Sequence, residues 1–552
     1  MSDGMKEQDR LDIVVIAGDQ PQEVLGRDIR EKVRLTVDGI PATLAFLRSY
    51  FHAGRDAAVA LDQARRDDPG FLSLNGPYLD QTLTDRGFSC ALIGQLAGER
   101  ERLKELASRR PRVVAISTTF IPFARQIDAM AEWVKANVPG ALVVAGGIQV
   151  WKSYRHKQML DAGEIGADIS AAVAEHNYLM DPLRPTPLDG LIVSDAGEET
   201  LVSLLSALRD GRDTRGLGNT AWFENGRWRM NQIETETARE IRMDWGRFLP
   251  GPTRAWVPVQ AGVGCAAKCA FCDFQGLRRV SIRSPESVVD EVATIPAFDG
   301  VRRVYFTDDN LFSSAKRARE ICKALIARNL GVRWRGMLRI GIVNDEVAEL
   351  MAESGCLEVL LGIESGDPGI LAAMNKGGDP DRIVAGIEKL AKHGINTKSM
   401  FITGFPGETD ASIANTVNLL NAYPTGFAAA HRYLFFTYAV LPLSRMAAAA
   451  ARREHGLVGY GYHWKHSSMS AEEASLRMAA LHDAIKSELS PGYVLEVPEL
   501  DGLGIEGIKT VYRLRNLISR RQRGLERDVD ETQCWDEMEE VFRCRVSGVR
   551  KT

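Results

Sequence analysis

Cys265, Cys269 and Cys272 fall within one short loop, Gly262-Val263-Gly264-Cys265-Ala266-Ala267-Lys268-Cys269-Ala270-Phe271-Cys272-Asp273, spaced C-x3-C-x2-C, just after the apolar, strand-like run Trp256 to Val263. Three thiolates this close can hold three irons of a cuboidal [4Fe–4S] cluster, whose irons lie within a few ångströms of each other. The fourth iron then has no protein ligand, and an open coordination position is a place for chemistry. The same residues also read as three structural cysteines or as part of a zinc site. Zinc usually asks for a fourth Cys or His at short spacing, and the next histidine after the triplet is His393.

The pattern downstream gives that loop a scaffold. Apolar runs begin near Trp256, Val301, Val332, Leu357, Thr397 and Tyr433. Amphipathic stretches separate most of them, among them Pro285–Thr294, Ala315–Arg328, Asp345–Glu353 and Pro380–His393. Strand alternating with helix at this spacing predicts a parallel β/α sheet or barrel, and six such units make a partial barrel rather than the full eight. Active residues of such folds gather at strand C-termini. Cys265, Asp309, Arg339, Glu364 and Gly404 all fall at or just after strand ends.

The cysteine spacing, with aromatic Phe271 before the third cysteine, resembles the signature of the radical S-adenosylmethionine (SAM) superfamily. In that family the open iron chelates the amino and carboxylate groups of SAM, and one electron cleaves SAM to methionine and a 5′-deoxyadenosyl radical. An electron donor such as flavodoxin or ferredoxin is implied. The segment Val304 to Phe312 resembles the second barrel strand and the loop that meets the SAM amino group, with Asp308, Asp309 and Asn310 as the contacts. Leu360 to Gly366 resembles the fourth strand and its SAM-contacting turn, with Glu364 and Ser365. Phe401 to Thr409 resembles the fifth strand and the turn near the adenine, with Gly404 and Phe405. These matches span about residues 255 to 440. They imply SAM contacts from Phe271 and the residues just named, and catalytic-site roles for Arg339 and Glu364.

Ahead of that core lie four buried-strand patterns, Leu11 to Ala17, Arg112 to Thr119, Ala141 to Gly147 and Gly190 to Ser194, joined by helical stretches such as Arg125–Asn137. They predict a doubly wound α/β domain with its ligand crevice beyond the strand C-termini. As an ordered set before a radical SAM core, they resemble the cobalamin-binding domain of the class B radical SAM methyltransferases. The resemblance implies cobalamin contacts from Ser117, Thr118 and Thr119, from the Gly146-Gly147 turn and Gln149, from Gly197, Glu198 and Thr200 at a helix start, and from Leu74, Asn75 and Tyr78 below the ring. Gly216 to Trp228 resembles the hairpin closing this domain.

Two departures stand out. No histidine has an Asp two residues before it, so the Asp-x-His-x-x-Gly motif that ligates cobalt elsewhere is absent. Cobalamin, if bound, is expected base-off without a His ligand. The second departure is an insertion over about residues 20–70, where a strand-to-helix loop normally needs two to six residues. Its Arg27–Phe51 stretch is amphipathic enough for a helix. A vestigial α/β domain serving substrate or oligomer contacts is the other reading of this region.

Pro250-Gly251-Pro252 marks a junction. Helices are expected at Leu443–Glu454, Ala471–Ser487 and Ile508–Glu526, with Ser470 to Glu473 as an N-cap. The cluster His463-Trp464-Lys465-His466 reads either as substrate contacts with Tyr462, or as a packed Trp with surface histidines, the reading favoured on packing grounds. The basic run Arg513–Arg527 reads as a solvated helix face. Cys534 and Cys544 are too few for a second open cluster.

The predicted organisation is therefore α/β throughout its first two parts: a doubly wound Rossmann-like cobalamin-binding domain over 1–235, a partial (β/α)6 radical SAM barrel over 250–442, and a mainly helical C-terminal domain over 443–552. A formal net charge of −4 gives no electrostatic case for nucleic acid. No apolar run reaches the length of a membrane span, the polar N-terminus is not a signal peptide, and a reducing cytoplasm suits the scattered cysteines.

The expected activity is cobalamin-dependent methylation of an unactivated carbon, or a phosphorus, of a small-molecule or peptide substrate. Cyclisation, ring contraction or oxidation with the same cofactors is the alternative. A methylthiotransferase is disfavoured, because only Cys90 precedes Cys265 and its N-terminal domain needs three cysteines. An iron–sulfur sensor would not need the set Asp309, Glu364 and Gly404.

Overall fold

The computed structural model describes residues 10–19, 35–67, 71–121, 123–165, 177–234, 236, 242–274, 277, 280–493, 496–498 and 503–543. Two seven-stranded sheets organise it. The first runs in the order Cys90–Ile93, Ile13–Ile16, Val113–Ser117, Leu142–Gly146, Gly190–Ile192, Thr220–Glu224, Arg227–Met230. Its first five strands are parallel, and the last two add antiparallel. Ile13, Val14, Val15 and Ile16 are wholly buried, as a parallel strand covered on both faces should be. The chain runs from Ile13–Ile16 to one neighbour and then crosses to the other, so the switch point of the sheet lies between Ile13–Ile16 and Val113–Ser117. The closing hairpin turns on Asn225 and Gly226, both left-handed, the two-residue turn whose twist suits paired strands.

The second sheet runs Val257–Val259, Arg302–Phe306, Val332–Leu338, Cys356–Glu364, Asn396–Thr403, His431–Thr437, Ser490–Pro491, all parallel. The first six are the strands expected from the periodicity, in sequence order. The seventh is a two-residue addition from the C-terminal region. Helices Pro285–Ala293, Ala315–Arg328, Asp345–Glu353, Pro380–Lys392 and Asp410–Asn421 cover its outer face. Each starts where a Ser, Asn, Asp or Thr side chain accepts a first-turn N–H. Alternate strand residues, such as Val304, Phe306, Trp334, Val359 and Phe401, pack under these helices. The inward positions near the strand starts are charged. Arg335, Glu358, Lys398 and Arg432 form a buried layer, in which Arg335 and Arg432 both pair with Glu358.

The described part of the insertion is a small hairpin, Thr36–Val37 with Ile40–Pro41, then helices Leu44–His52 and Ala57–Asp67. Residues 27–34 of the expected helix, and Cys544, lie outside the described residues. Leu35, Leu44, Leu47 and Phe51 share one core with Val511, Leu514, Ile518, Met538 and Phe542 of helices Ile505–Gln522 and Glu531–Arg543. Glu496 ties that unit to the barrel floor: its carboxylate meets Arg432 at 3.1 Å and Arg515 at 2.8 Å, and accepts the Leu44 N–H at 2.9 Å.

Three expectations fail here. The stretch 27–51 is not one helix, because Thr36–Val37 and Ile40–Pro41 pair as a hairpin about the left-handed Asp38 and Gly39, and Thr43 caps a helix that starts only at Leu44. Arg513–Arg527 is not simply a solvated face, because Arg515 is buried in this network and Arg520 and Arg523 pair with Glu526 and Asp483. The run 443–454 is not one helix. It forms a 3-10 turn at Arg445–Ala447 and a helix only at Ala449–His455, because the Leu443 and Met446 N–H groups go to Asp273 Oδ1 and Ala270 O of the cysteine loop instead. No helix of the described residues is long and apolar enough to cross a membrane.

Candidate active site

The cysteine loop leaves the short strand Gly262–Val263 through Gly264, whose positive φ of 75° suits a residue without a Cβ. Two carboxylates from the end of Arg302–Phe306 shape its entry. Asp308 Oδ2 accepts the Ala261 N–H at 3.0 Å and Asp309 Oδ2 accepts the Gly264 N–H at 3.1 Å. Burial pushes Asp308 up to about 7 against the pull of those backbone N–H groups. The Ala270 N–H donates to Met374 O, and Met446 N–H to Ala270 O, so the loop is held from two sides.

Among the described residues no three His, Cys, Asp or Glu side chains converge on a single ion. A cuboidal cluster needs something else, each thiolate on its own iron. The loop meets that need. Burial, with smaller contributions from Cys269, Asp273 and Cys265, pushes the Cys272 thiol up to about 11. N–H groups already point at sulfur, Arg339 Nη1 at Cys269 Sγ and the Phe274 N–H at Cys272 Sγ, both at 3.4 Å. The three cysteines therefore fit a cluster.

Arg339 was expected at the reacting centre, and the structure places it beside the loop, on Cys269 and on the Lys376 carbonyl. Glu364 ends its strand at a β-bulge, with φ of 73°; bulges re-aim side chains, and left-handed non-glycine residues concentrate at functional sites. Its carboxylate meets Lys376 Nζ at 3.1 Å. Lys376 was not singled out from the sequence, where a lysine before Gly377-Gly378 reads only as a turn. Asn310 Oδ1 is buried with no hydrogen-bond partner, an acceptor awaiting a donor. Ser365 serves its own turn, accepting the Asp367 N–H at 3.1 Å.

The Gly404 turn is built from the C-terminal region. Gly404 has φ of 94°, and a Cβ there would sit 2.7 Å from both Ala474 and Trp464. Its N–H donates to Glu408 Oε2 at 2.5 Å, and burial raises Glu408 to about 7. His466 Nε2 lies 3.0 Å from Gly404 O, while its Nδ1 faces the Ser468 and Met469 N–H groups. Burial lowers the His466 pKa, so the ring is neutral and donates through Nε2. Trp464 stacks on His466 at 4.8 Å and donates to Tyr438 O. The packed-Trp reading thus holds for Trp464, but His466 is buried, not on the surface. Phe405 is buried against Tyr438 and its carbonyl accepts the Glu408 N–H at 3.0 Å, while Phe271 is only partly covered.

At the strand ends of the first sheet, Thr118 Oγ1 and its N–H both donate to Gly146 O. Asn75 Nδ2 donates to Ser117 Oγ at 3.0 Å and to Ala17 O at 2.7 Å, across the switch point, and Thr119 Oγ1 lies 3.3 Å from Ser117 Oγ. Gly147, at φ of 111°, opens the helix Ile148–Asp161; a Cβ there would meet Thr118 Oγ1 at 3.2 Å. Gln149 Nε2 donates to Asn177 Oδ1. Gly197 is left-handed and precedes the helix Glu198–Arg209, whose Thr200 donates to Glu236. Leu74 precedes the helix Asn75–Thr84, and Tyr78 lies in its first turn. This crevice, backed by small residues at a switch point, is a cradle that a side chain would fill, and it fits a bulky ligand's tail. The segment before it also joins the barrel: Phe71 pairs with Trp256 as a parallel bridge, and the Leu72 N–H donates to Trp256 O.

Residues 259–420 match the family model for the radical SAM superfamily. The chain is 30% identical over 244 residues to an uncharacterized methyltransferase of Pyrococcus horikoshii, covering 43% of this chain and 53% of that one. It is 28% identical over 313 residues to the anaerobic magnesium-protoporphyrin IX monomethyl ester cyclase of Rubrivivax gelatinosus, covering 53% of this chain and 56% of the relative. It thus spans about half the length of these curated relatives. The fold is shared with the radical SAM methyltransferase TsrM of Kitasatospora setae, solved with cobalamin and a [4Fe–4S] cluster bound, at a TM-score of 0.57 and 14% identity over 98% of this chain and all of that one.

Proposed function

We propose that this chain, whose residues 259–420 belong to the radical SAM superfamily, is a cobalamin-dependent radical SAM methyltransferase acting on an unactivated carbon, or a phosphorus, of a small-molecule or peptide substrate. The observation that carries the reading is the joint between the two sheets. Helix Ile148–Asp161 begins at the Gly147 cradle, and its Trp151 Nε1 donates to Leu277 O, just beyond the cysteine loop, at 2.8 Å. This contact supports a reading in which the two strand-end faces lie next to each other. Bound together, the cluster, SAM and cobalamin would supply one-electron chemistry and a methyl carrier.

The chain's part is to bind, orient and exclude water. Cys265, Cys269 and Cys272 would hold the cluster. Asp309, Asn310, Glu364 and Lys376 would take the charged end of SAM, and the Gly404 turn with Phe271 its adenine. Ser117, Thr119, Gly146, Gly147 and Gln149 would take the cobalamin tail, with Leu74, Asn75 and Tyr78 below the ring. These residues imply domains close to 1–235, 250–442 and 443–552, with the insertion joined to the last. An external donor such as ferredoxin or flavodoxin would supply electrons.

The cyclase relative favours a second reading, cyclisation without methyl transfer. Anaerobic turnover with methyl-labelled SAM separates the two. The product should gain one labelled methyl, with 5′-deoxyadenosine and S-adenosylhomocysteine formed in about equal amounts. A product of unchanged or lower mass, with deoxyadenosine and no S-adenosylhomocysteine, rejects methyl transfer in favour of cyclisation or oxidation.

A further inference from the structure

The residue immediately after the third cysteine is an aspartate, and its surroundings are unusual for a loop carboxylate. Asp273 is 3% exposed. Its Oδ1 accepts the Leu443 N–H at 3.0 Å, and its Oδ2 meets Lys152 Nζ at 3.2 Å. Lys152 is the only cation in ion-pair contact with Asp273 among the described residues. It stands on helix Ile148–Asp161, next to Trp151, whose indole holds Leu277. Leu277 is buried in the core of the first sheet, and Leu443 packs against that core. Three regions of the chain thus close on one carboxylate beside Cys272.

Packing alone does not require a charge here. The contacts of Trp151 and Leu277 already join the two sheets, and a buried ion pair contributes little to stability that apolar residues could not replace. What an apolar pair could not supply is a charge of each sign next to the cysteine loop. The reduction potential of an iron–sulfur cluster responds to nearby net charge, to hydrogen bonds on sulfur and to solvent exposure. A carboxylate left alone beside the cluster opposes the arrival of an electron, and an ammonium left alone favours it.

We propose that Lys152 and Asp273 form an interdomain pair that sets the reduction potential of the cluster held by Cys265, Cys269 and Cys272, each through its own charge and with opposite sign. The inference rests on the cluster part of the proposed function and is independent of cobalamin and of methyl transfer. It makes the first sheet a determinant of how readily the second sheet's cluster is reduced, through a helix that also borders the Gly147 cradle.

The test uses the full chain, reconstituted anaerobically with iron and sulfide, without substrate. Iron and sulfide per chain are measured first, and then the midpoint potential, by redox titration followed by electron paramagnetic resonance. Lys152→Met should move the midpoint to more negative values and Asp273→Asn to more positive ones. Lys152→Arg should stay near wild type, and the double variant Lys152→Met/Asp273→Asn should return toward it. A role confined to packing predicts lower iron content or stability in the single variants without this opposition of sign. Shifts in the same direction, or unchanged potentials at full iron loading, overturn the proposal. If Lys152→Met loads no iron, Asp273→Asn decides alone, and a potential at or below wild type overturns it. A wild-type chain that takes up no cluster rejects the cluster reading itself, a result distinct from a loaded cluster with unmoved potential.

Discussion

Replacing Glu496 with Gln should loosen the C-terminal helices from the barrel floor while leaving the barrel folded. In the native chain its carboxylate is buried between Arg432 and Arg515 and accepts the Leu44 N–H. Burial works against the charged form, but the Arg515 and Arg432 guanidiniums overcome it and hold Glu496 down to about 2, below the usual carboxylate range. Breaking a buried ion pair by removing one partner costs roughly 3–5 kcal/mol, and the lower end, about 3 kcal/mol, applies because Gln keeps the volume and one acceptor. The sign follows from the depressed value. This stability is complete above about 4.5 and is lost as pH falls through about 2.

In a chain of several domains a single unfolding free energy is poorly defined, so local opening is the quantity to measure. Native-state hydrogen exchange with mass spectrometry at pH 7 reads it peptide by peptide. Amides of Ile505–Gln522 and Leu44–His52 should exchange about a hundredfold faster in Glu496→Gln, since each 1.4 kcal/mol is tenfold. Those of Val332–Leu338 should change much less. Acceleration below about fivefold, or equal acceleration everywhere, would refute the view that Glu496 is the tie between these units.

Replacing Cys265, Cys269 and Cys272 together by Ala should abolish iron uptake and SAM cleavage; iron content near that of wild type after reconstitution would count against the cluster. Gly147→Val should weaken cobalamin binding at least tenfold, measured by the cobalamin retained after gel filtration, with iron content unchanged, because the Cβ would press on Thr118 in a left-handed position; retention equal to wild type would remove the cradle from the site. Glu408 is raised by burial to about 7, so the folded chain holds this proton more tightly than the unfolded one, and stability should fall as pH rises from about 4.5 through about 7. Glu408→Gln should flatten that part of the melting profile between pH 5 and 8, and an unchanged slope would exclude Glu408 as its source.

What the sequence made legible is what local rules encode. The six barrel strands showed as β-rich apolar runs, and their helices as capped amphipathic stretches. The cysteine triplet needed no fold to be noticed, and the Gly404 and Gly147 turns announced themselves as glycines after strands. What stayed hidden depends on partners remote in the chain. The edge strand Cys90–Ile93 is apolar throughout but only four residues long, too short a run to stand out by periodicity. Arg515 looked solvated because its partner Glu496 belongs to another segment, and 443–454 looked helical because nothing local says that its N–H groups serve the cysteine loop. His466 looked like a surface residue until Gly404 O was found against it.

The hidden contacts share one physical task. On the proposed function a radical would react with whatever stands within contact distance, about 3–3.5 Å for reacting atoms, so cofactors held on separate sheets would be useful only with their relative position fixed. Local propensity builds each sheet but cannot fix one against the other. That falls to long-range pairs: Phe71 along Trp256, Trp151 on Leu277, Lys152 on Asp273. On that proposal the loss of any one of these pairs should show first as misdirected or slowed chemistry, with both sheets still folded.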